Sequence, residues 1–233
     1  MVDKSAREET LSGRAGRQVG IFVKEPLPGQ VKTRLSPPLT GNEAAAFYRV
    51  AQKETIHRLT TGPWAVTLVF AGARAYFQER FPQLPLLAQG EGDLGQRLQS
   101  AFSVLQKSEI PTVMIGSDSP DLPLSLVEAA FAALTEVDAV VAPAADGGYV
   151  LIGGRRSLPQ LFAGIPWSSA EVLACTRRRA VESGLSWREL PAWEDVDNFS
   201  SLRSLLKRSP ASASATFVRN HLGHYFPGAS GQP

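Results

Sequence analysis

The sequence predicts an α/β protein built as one domain, and three observations lead to this prediction. Short apolar runs such as IPTVMI at 110–115 are rich in β-branched residues and stop at turn residues, which is typical of buried strands. Amphipathic segments with helical periodicity lie between these runs. The length of 233 residues suits a single domain with a large core and leaves little room for a second full domain.

Composition excludes several classes of protein. A hydrophobic fraction of 43% with 20% charged residues is ordinary for a globular protein and does not fit a disordered or membrane protein. The first 17 residues are polar where a signal peptide would be apolar, so we expect a flexible leader over 1–17 and a cytoplasmic protein. A net charge of +2 with scattered basic residues argues against nucleic acid or membrane as a partner. The single cysteine, Cys175, excludes an internal disulfide.

The central predicted strand is followed at once by GSDSPDL at 116–122. Ligands of open α/β sheets bind outside the carboxyl ends of the strands, which places Asp118 at the expected site. A carboxylate there suits Mg²⁺ or Mn²⁺ that carries a phosphate. The alternative is that Ser117, Asp118 and Asp121 only form turns and cap the next helix. We favour the metal role for Asp118 and the turn role for Asp121.

A cationic loop follows the first predicted strand at 19–23. Proline and glycine stiffen this loop, and its cations suit phosphate binding because Arg offers a planar fork and Lys a point charge. The residues expected to shape the loop or to contact phosphates are Lys24, Pro28, Gly29, Lys32 and Arg34. The chain has no Walker motif and no GxGxxG, so neither a P-loop nor a dinucleotide site is predicted.

A second candidate loop, QGEGDLGQR at 89–97, is rich in glycine and passes into a helix. Its glycines would let backbone amides approach a ligand, which makes Gly92 and Asp93 candidates for nucleotide contact. Simple capping of the helix by Asp93 with Gln96 explains the same pattern, and both interpretations stay open.

Several further segments are predicted as scaffold. Thr40 to Glu43 is a capping box that opens a helix over about 42–59, with Ala46, Val50 and Ile56 facing inward. The other predicted strands are 64–70, 84–87, 138–143, 150–153 and 185–190, and the other predicted helices are 73–81, 124–134 and 199–207. Pro210 to Thr216 is predicted as a linker, followed over 217–226 by at most a docking helix.

Two later segments carry candidate functional residues. The DGG at 146–148 is first of all a tight-turn signal between two strands. Trp167 could stack on a sugar or base, or could pack, and Ser168 to Glu171 forms a second capping-box pattern before a helix that reaches about 183. In an extended Asp195-Val196-Asp197 the two acids share one side, so one of them could complete the metal site begun by Asp118. Asn198 is a natural N-cap.

Taken together, these segments resemble a protein family. VKEPLPGQVKTRL at 23–35, IGSDSPDLP at 115–123 and DGGYVLIG at 146–153, with GIPWSS and EDVDNFSSL after them, are similar to small bacterial GT-A-type transferases of the arsenosugar-biosynthesis type over about 18–206. The first and last motifs also resemble phospholactate guanylyltransferases and sugar-nucleotide pyrophosphorylases. The resemblance implies a three-layer α/β/α domain with a mixed, mainly parallel sheet, the nucleotide-diphospho-sugar transferase fold, over 18–208, with a tail over 209–233.

The resemblance also implies roles for individual residues. Lys24, Lys32 and Arg34 match the phosphate loop, and Asp118 and Asp197 match the acids that hold Mg²⁺ or Mn²⁺. The residues expected on the acceptor side are Asp146, Gly147, Gly148, Tyr149, Trp167 and Ser168. The implied activity is transfer from a nucleotide-activated donor to a small acceptor, most simply of a sugar from a nucleotide sugar. The alternatives are nucleotidyl transfer from an NTP to a small phosphorylated molecule, and a catalytically silent nucleotide-binding regulator.

Overall fold

A computed structural model describes residues 16–106 and 110–226 of the chain. Within these residues the strands are β1 Gln18–Lys24, β2 Ala65–Ala71, β3 Leu86–Ala88, β4 Thr112–Gly116, β5 Ala139–Pro143, β6 Tyr149–Gly154 and β7 Trp187–Glu189. The α-helices of the same residues are α1 Gly41–Leu59, α2 Arg74–Arg80, α3 Leu94–Leu105, α4 Leu124–Ala133, α5 Val172–Glu182, α6 Phe199–Arg208 and α7 Ala213–Leu222. No helix in these two ranges is both long and apolar enough to cross a bilayer.

The strands form one sheet in the order β3-β2-β1-β4-β6-β5-β7. Every described pairing that includes β6 is antiparallel and every other pairing is parallel, so the prediction of a mixed, mainly parallel sheet is confirmed. β1 pairs with β4 from Gln18 opposite Thr112 to Phe22 opposite Gly116. The carboxyl ends of these two central strands therefore lie side by side, which brings the loop after β1 next to the loop after β4.

Both faces of the sheet are covered, as a three-layer domain requires. Successive side chains of a strand point to opposite faces, so Val113 and Ile115 join one core cluster while Met114 joins the other. The first cluster includes Val127 and Phe131 of α4, and the second includes Leu98, Ala101 and Phe102 of α3. The predicted α/β/α architecture is therefore confirmed.

Three helix caps that were predicted from residues close together in the sequence are present. Thr40 with Glu43, Asp93 with Gln96, and Asn198 with Ser201 all form capping boxes. The capping box predicted at Ser168 and Glu171 is wrong, because α5 begins only at Val172 and Ser168 has a left-handed backbone with φ of 65°. The hydroxyl of Ser169 instead accepts the backbone N–H of Glu171 at 3.2 Å, which forms a turn one residue later.

The inward face of α1 differs from the prediction. Ala46 and Val50 are only partly buried, whereas the polar residues Tyr48 and Gln52 are buried. These two side chains face inward because they find hydrogen-bond partners on the strand ends beneath them, as described below for the site.

Asp121 does not have the turn-and-cap role that was predicted for it. The N-cap of α4 is Pro123, and the buried Asp121 carboxylate pairs with Arg208 at 2.6 Å and accepts the hydroxyl of Ser209 at 2.8 Å. Arg208 also pairs with Glu194 at 2.5 Å. This cluster joins the end of α6 to the loop after β4, so Asp121 is a structural ion-pair partner.

The segment predicted as a linker over 210–216 is helical from Ala213 onward, so that prediction is wrong. Ser212 caps α7, and the Glu54 carboxylate of α1 accepts the backbone N–H groups of Ala213 and Ser214 at 2.9 and 2.8 Å. Val218 and Leu222 are fully buried. The predicted tail thus belongs to the packed domain up to Phe226, while residues 1–15 of the predicted leader lie outside the described residues.

Candidate functional site

The carboxyl ends of β1 and β4 open into a cavity of about 560 Å³, within the range of small-molecule sites. The sequence-predicted residues that line it are Lys24, Lys32, Arg34, Gly92, Asp93, Asp118, Tyr149, Ser168 and Asp197. The fold therefore brings together the cationic loop, the glycine-rich loop and both predicted metal acids, although these segments are far apart in the sequence.

An ion-pair cluster lines this cavity. The Nζ of Lys32 lies 2.5 Å from Oδ1 of Asp118 and 3.6 Å from Oδ1 of Asp197. Arg34 donates from Nη1 to the other oxygen of Asp197 at 2.8 Å. The side chain of Lys32 is only 2% exposed, and among the described residues its ammonium has no partner with hydrogen-bond geometry despite the short contact. A buried cation therefore lies between two carboxylates.

The backbone of the loop directs Lys32 into the cavity. Lys32 adopts the left-handed conformation with φ of 50°, which is uncommon for a residue with a side chain, and a short 3₁₀ turn follows at Thr33–Leu35. Val31 and Leu35 are buried on either side and anchor the loop. Pro28 and Gly29 are exposed beside the start of α1 and do not line the cavity, so their predicted phosphate contact stays a prediction while their role in shaping the loop is visible.

The two predicted metal acids are fixed relative to each other through the main chain. The backbone N–H of Val196 donates to the carbonyl of Asp118 at 2.9 Å, and the Val196 side chain is fully buried. The N–H of Asp197 donates to the hydroxyl of Ser201 at 2.9 Å. Asp195, on the other side of Val196, is half-buried, and this burial together with nearby Asp197 raises its pKa to about 6.

A buried polar network supports the two strand ends. The hydroxyl of Tyr48 accepts the backbone N–H of Lys24 at 3.0 Å and lies 2.7 Å from the hydroxyl of Ser117, the residue before Asp118. The amide of Gln52 donates to the carbonyl of Lys24 at 2.8 Å. Burial raises the pKa of Tyr48 above its ordinary value, which keeps the hydroxyl protonated. Sequence reasoning missed this pair, and its only signal was the spacing of four between two polar residues on one helix.

The glycine-rich loop both caps its helix and lines the cavity. The Asp93 carboxylate accepts the N–H of Gln96 at 2.9 Å, and the Gln96 side chain accepts the N–H of Asp93 at 2.9 Å. Arg97, which sequence reasoning missed, also lines the cavity and donates from Nε to the carbonyl of Gly92 at 2.9 Å. Its position one helical turn after the cap was the available signal. The two alternatives for this loop are therefore compatible with each other.

The predicted acceptor residues divide into two groups. Tyr149 and Ser168 line the cavity, whereas Asp146, Gly147, Gly148 and Trp167 do not. The Asp146 carboxylate accepts the N–H of Gly148 at 3.0 Å, and Gly147 has φ of 88° and contacts Ala170 so closely that a Cβ has no space. Trp167 packs over Gly95, where a Cβ would come within 2.6 Å of its Nε1. Turn formation and packing account for the contacts of this second group.

The arrangement of the acids fits a hard divalent cation. No cluster of three or more His, Cys, Asp or Glu side chains suited to a metal occurs in the part of the chain that the structure describes. Asp118 and Asp197 nevertheless both approach one point, the Lys32 ammonium, at 2.5 and 3.6 Å. Mg²⁺ is commonly held by one or two carboxylates with phosphates and waters as its other ligands, and Asp118 and Asp197 could supply that pair.

Comparison with known proteins gives one family match and several structural matches. The family described as "Uncharacterized protein conserved in bacteria (DUF2064)" matches residues 55–169. A crystal structure of a "putative nucleotide-diphospho-sugar transferase" from Desulfovibrio desulfuricans G20 is 32% identical, covers 89% of this chain and 96% of its own, and has a TM-score of 0.81. A search of curated proteins finds no match to the chain.

Two more distant structures share the fold alone. CMP:2-keto-3-deoxy-manno-octonic acid synthetase complexed with CTP is 10% identical over 81% of this chain and 96% of that one, with a TM-score of 0.52. Rv0371C of Mycobacterium tuberculosis, in a complex with manganese, is 16% identical over 82% of this chain and 98% of that one, with a TM-score of 0.51. The finer resemblances to arsenosugar-biosynthesis and phospholactate enzymes stay predictions. The chain belongs to the same family as the Desulfovibrio desulfuricans G20 protein and has the fold of the nucleotide-diphospho-sugar transferases.

Proposed function

We propose that this protein is a metal-dependent transferase with a nucleotide-activated donor, and that it moves a sugar from a nucleotide sugar to a small acceptor. The observation that carries the proposal is the meeting of a cationic loop and two carboxylates, Asp118 and Asp197, in one cavity of about 560 Å³ at the carboxyl ends of β1 and β4. The description of the 32% identical relative as a nucleotide-diphospho-sugar transferase supports the same class of donor.

The roles of the residues follow from charge and position. Lys24, Lys32 and Arg34 bind the donor phosphates and offset the negative charge that grows on the departing nucleoside diphosphate. Asp118 and Asp197 hold Mg²⁺ or Mn²⁺, which when bound supplies Lewis-acid stabilisation of the phosphate oxygens. Catalysis by this chain then consists of positioning and electrostatic stabilisation, and the acceptor binds on the side of the cavity lined by Tyr149 and Ser168.

A second candidate function is nucleotidyl transfer from an NTP to a small phosphorylated molecule, with release of pyrophosphate. The specific observation in its favour is the number of cations around the cavity, because Arg97 joins Lys24, Lys32 and Arg34 there. A triphosphate carries more negative charge than the diphosphate of a nucleotide sugar, so a larger number of cations favours it. Both candidates require the same phosphate and metal contacts and differ in which bond of the donor breaks.

A thermal-shift screen of nucleotide sugars and NTPs, with and without Mn²⁺, tests the proposal. A ligand at about 100 times its Kd stabilises the folded protein by about 2.7 kcal/mol, which for a chain of this size raises Tm by about 5–10 °C. We expect the largest Mn²⁺-dependent shift with a nucleotide sugar, and we expect Asp118→Asn to lose the Mn²⁺-dependent part.

The other outcomes of the screen separate the alternatives. A larger shift with an NTP, followed by pyrophosphate release when acceptors are added, would replace sugar transfer by nucleotidyl transfer. Binding without turnover across an acceptor panel would leave the regulatory interpretation. No shift with any nucleotide would contradict the proposed function.

A further inference from the structure

Lys32 lies where its charge competes with a metal ion for the same two carboxylates. We propose that Lys32 is a resident counter-ion of Asp118 and Asp197, and that its transfer from these acids to the donor phosphates couples metal binding to nucleotide binding. This inference rests on the proposed function and deepens it, because it assigns Lys32 a role in the order of ligand binding in addition to phosphate contact.

The first argument is the burial of the ammonium. The Lys32 side chain is 2% exposed, and a buried charge is tolerated only when an opposite charge lies close to it. Its two nearest acids supply that charge at 2.5 and 3.6 Å. The reverse holds as well, since two carboxylates this close to one point repel each other unless a cation lies between them.

The second argument is that the ammonium has three donors, whereas the described residues place two carboxylate oxygens beside it. Lys32 also lines the cavity of about 560 Å³. Phosphate oxygens entering the cavity would supply further acceptors. Arg34 differs, because it already donates a hydrogen bond to Asp197 and its side chain is 62% exposed.

The third argument is exclusion. A divalent cation on the two carboxylates and the ammonium at its present contact would place like charges against the same oxygens, which is electrostatically unfavourable. Metal binding at those oxygens in the free protein would therefore displace Lys32 from its two carboxylates without giving it a new partner. With phosphates present the displaced ammonium gains one. Metal and phosphate should then strengthen each other's binding by the same factor, as linkage requires.

The test is a titration of Mn²⁺ followed by the paramagnetic resonance of the free ion, without any activity measurement. The proteins are the wild type, Lys32→Met, Lys32→Arg and Lys24→Met. Lys24 is the matched control, because it lines the same cavity from the end of β1, just before the loop that carries Lys32, while the described residues include no carboxylate in an ion pair with it. Thermal unfolding of each variant confirms that it is folded.

Without phosphate we expect Lys32→Met to bind Mn²⁺ at least tenfold more tightly than the wild type, and Lys24→Met to match the wild type. Lys32→Arg keeps the charge and should bind Mn²⁺ as weakly as the wild type. Inorganic pyrophosphate is the phosphate probe, with its own complex with Mn²⁺ included in the fit. It should tighten Mn²⁺ binding to the wild type by a clearly larger factor than to Lys32→Met, where only the phosphate's own contacts with the metal and the other cations remain.

The outcomes that contradict the inference are distinct from those that contradict the proposed function. Equal Mn²⁺ affinity of the wild type and Lys32→Met, with Mn²⁺ bound to both, overturns the counter-ion role and leaves a metal-dependent transferase. Failure of every protein to bind Mn²⁺, even with pyrophosphate, overturns the metal site and therefore both proposals.

Discussion

Asp195 and Asp197 are two residues apart and have different surroundings. Asp197 is held by its main chain to Ser201 and carries two cations, whereas Asp195 is half-buried and makes no ion pair within the described ranges. We predict that Asp197→Asn weakens Mn²⁺ binding by more than about tenfold, or about 1.4 kcal/mol, because a carboxamide is a poorer ligand for a hard cation. Asp195→Asn should weaken it less. Calorimetric titration with Mn²⁺ in the presence of nucleotide measures both, and equal small effects would mean that this segment is a plain turn.

Arg34 is the exposed end of the cationic loop, so its loss should affect binding more than folding. We predict that Arg34→Ala weakens nucleotide binding by about 1.5–3 kcal/mol, the usual value of a charge-assisted hydrogen bond. Lys53→Ala removes an exposed cation of α1 that does not line the cavity and serves as the control. Fluorescence or calorimetric titration with the nucleotide from the screen gives both affinities. Unchanged affinity of Arg34→Ala would remove Arg34 from the phosphate site.

Among single residues, the charged groups that follow strand ends or turns were predicted better than the polar side chains of helices that face the cavity. Lys32, Arg34, Asp118 and Asp197 follow strand ends or turns, where local pattern is informative. Tyr48 and Arg97 lie within helices, where a polar side chain facing the sheet has the same local pattern as one facing solvent. Only the three-dimensional packing of α1 and α3 on the sheet distinguishes these two cases.

Among the elements, β5, β6 and β7 are joined by one carboxylate. Asp138, just before β5, accepts the N–H and hydroxyl of Ser186 at 3.1 and 2.7 Å and a hydrogen bond from Arg155 at 3.0 Å. These hydrogen bonds, with those from Ser186 first, lower the pKa of Asp138 to about 2. Since the folded-state pKa lies below the unfolded value, the carboxylate stabilises the protein above the unfolded pKa, and this contribution is lost as pH falls toward 2.

We therefore predict that Asp138→Asn lowers the free energy of unfolding by about 1–2 kcal/mol at pH 7, and that the difference from the wild type shrinks as pH falls below about 4. Urea unfolding at pH 7 and pH 3 measures the difference. Asp93→Asn is the matched control, because Asp and Asn cap helices about equally. A difference between Asp138→Asn and the wild type that does not change with pH would contradict the ionic origin.

The elements themselves were largely predictable, and the errors share a cause. Strands that are short, continuous apolar runs and helices with local capping boxes were found because their signals lie within a few residues of each other. The Ser168 cap failed because the loop before α5 packs against Gly147, a contact that no local pattern encodes. The prediction for Asp121 failed for the same reason, because its partner Arg208 lies far away in the sequence, on the last turn of α6.

For the molecule as a whole, α7 completes the core. Leu222 is fully buried in a cluster with Phe47 of α1 and Leu205 of α6. We predict that Leu222→Ala lowers the free energy of unfolding by about 2–5 kcal/mol, as removal of buried methyl groups does, whereas exposed Asn220→Ala stays within about 0.5 kcal/mol. Denaturant unfolding compares the two. Equal stability would mean that α7 is an appendage.

The C-terminal segment was predicted as a linker because alanine and serine dominate 211–215, and such composition is also typical of flexible chains. Its helix depends on Ser212 as a cap and on Glu54, which lies in a distant part of the sequence. The overall class of the fold was predictable because it depends on many strands, whose signals reinforce one another. A single short helix has no such redundancy.

The hydrogen bond from the Val196 amide to the Asp118 carbonyl makes one proton a reporter for the assembly of the cavity. That amide can exchange with deuterated water only when the segment carrying Asp197 separates from the end of β4. Its exchange rate therefore measures the free energy of that local opening. Ligands that bind both acids at once must slow the exchange in proportion to their occupancy. The exchange rate of this one amide proton thus reports the fraction of time for which the two halves of the cavity are apart.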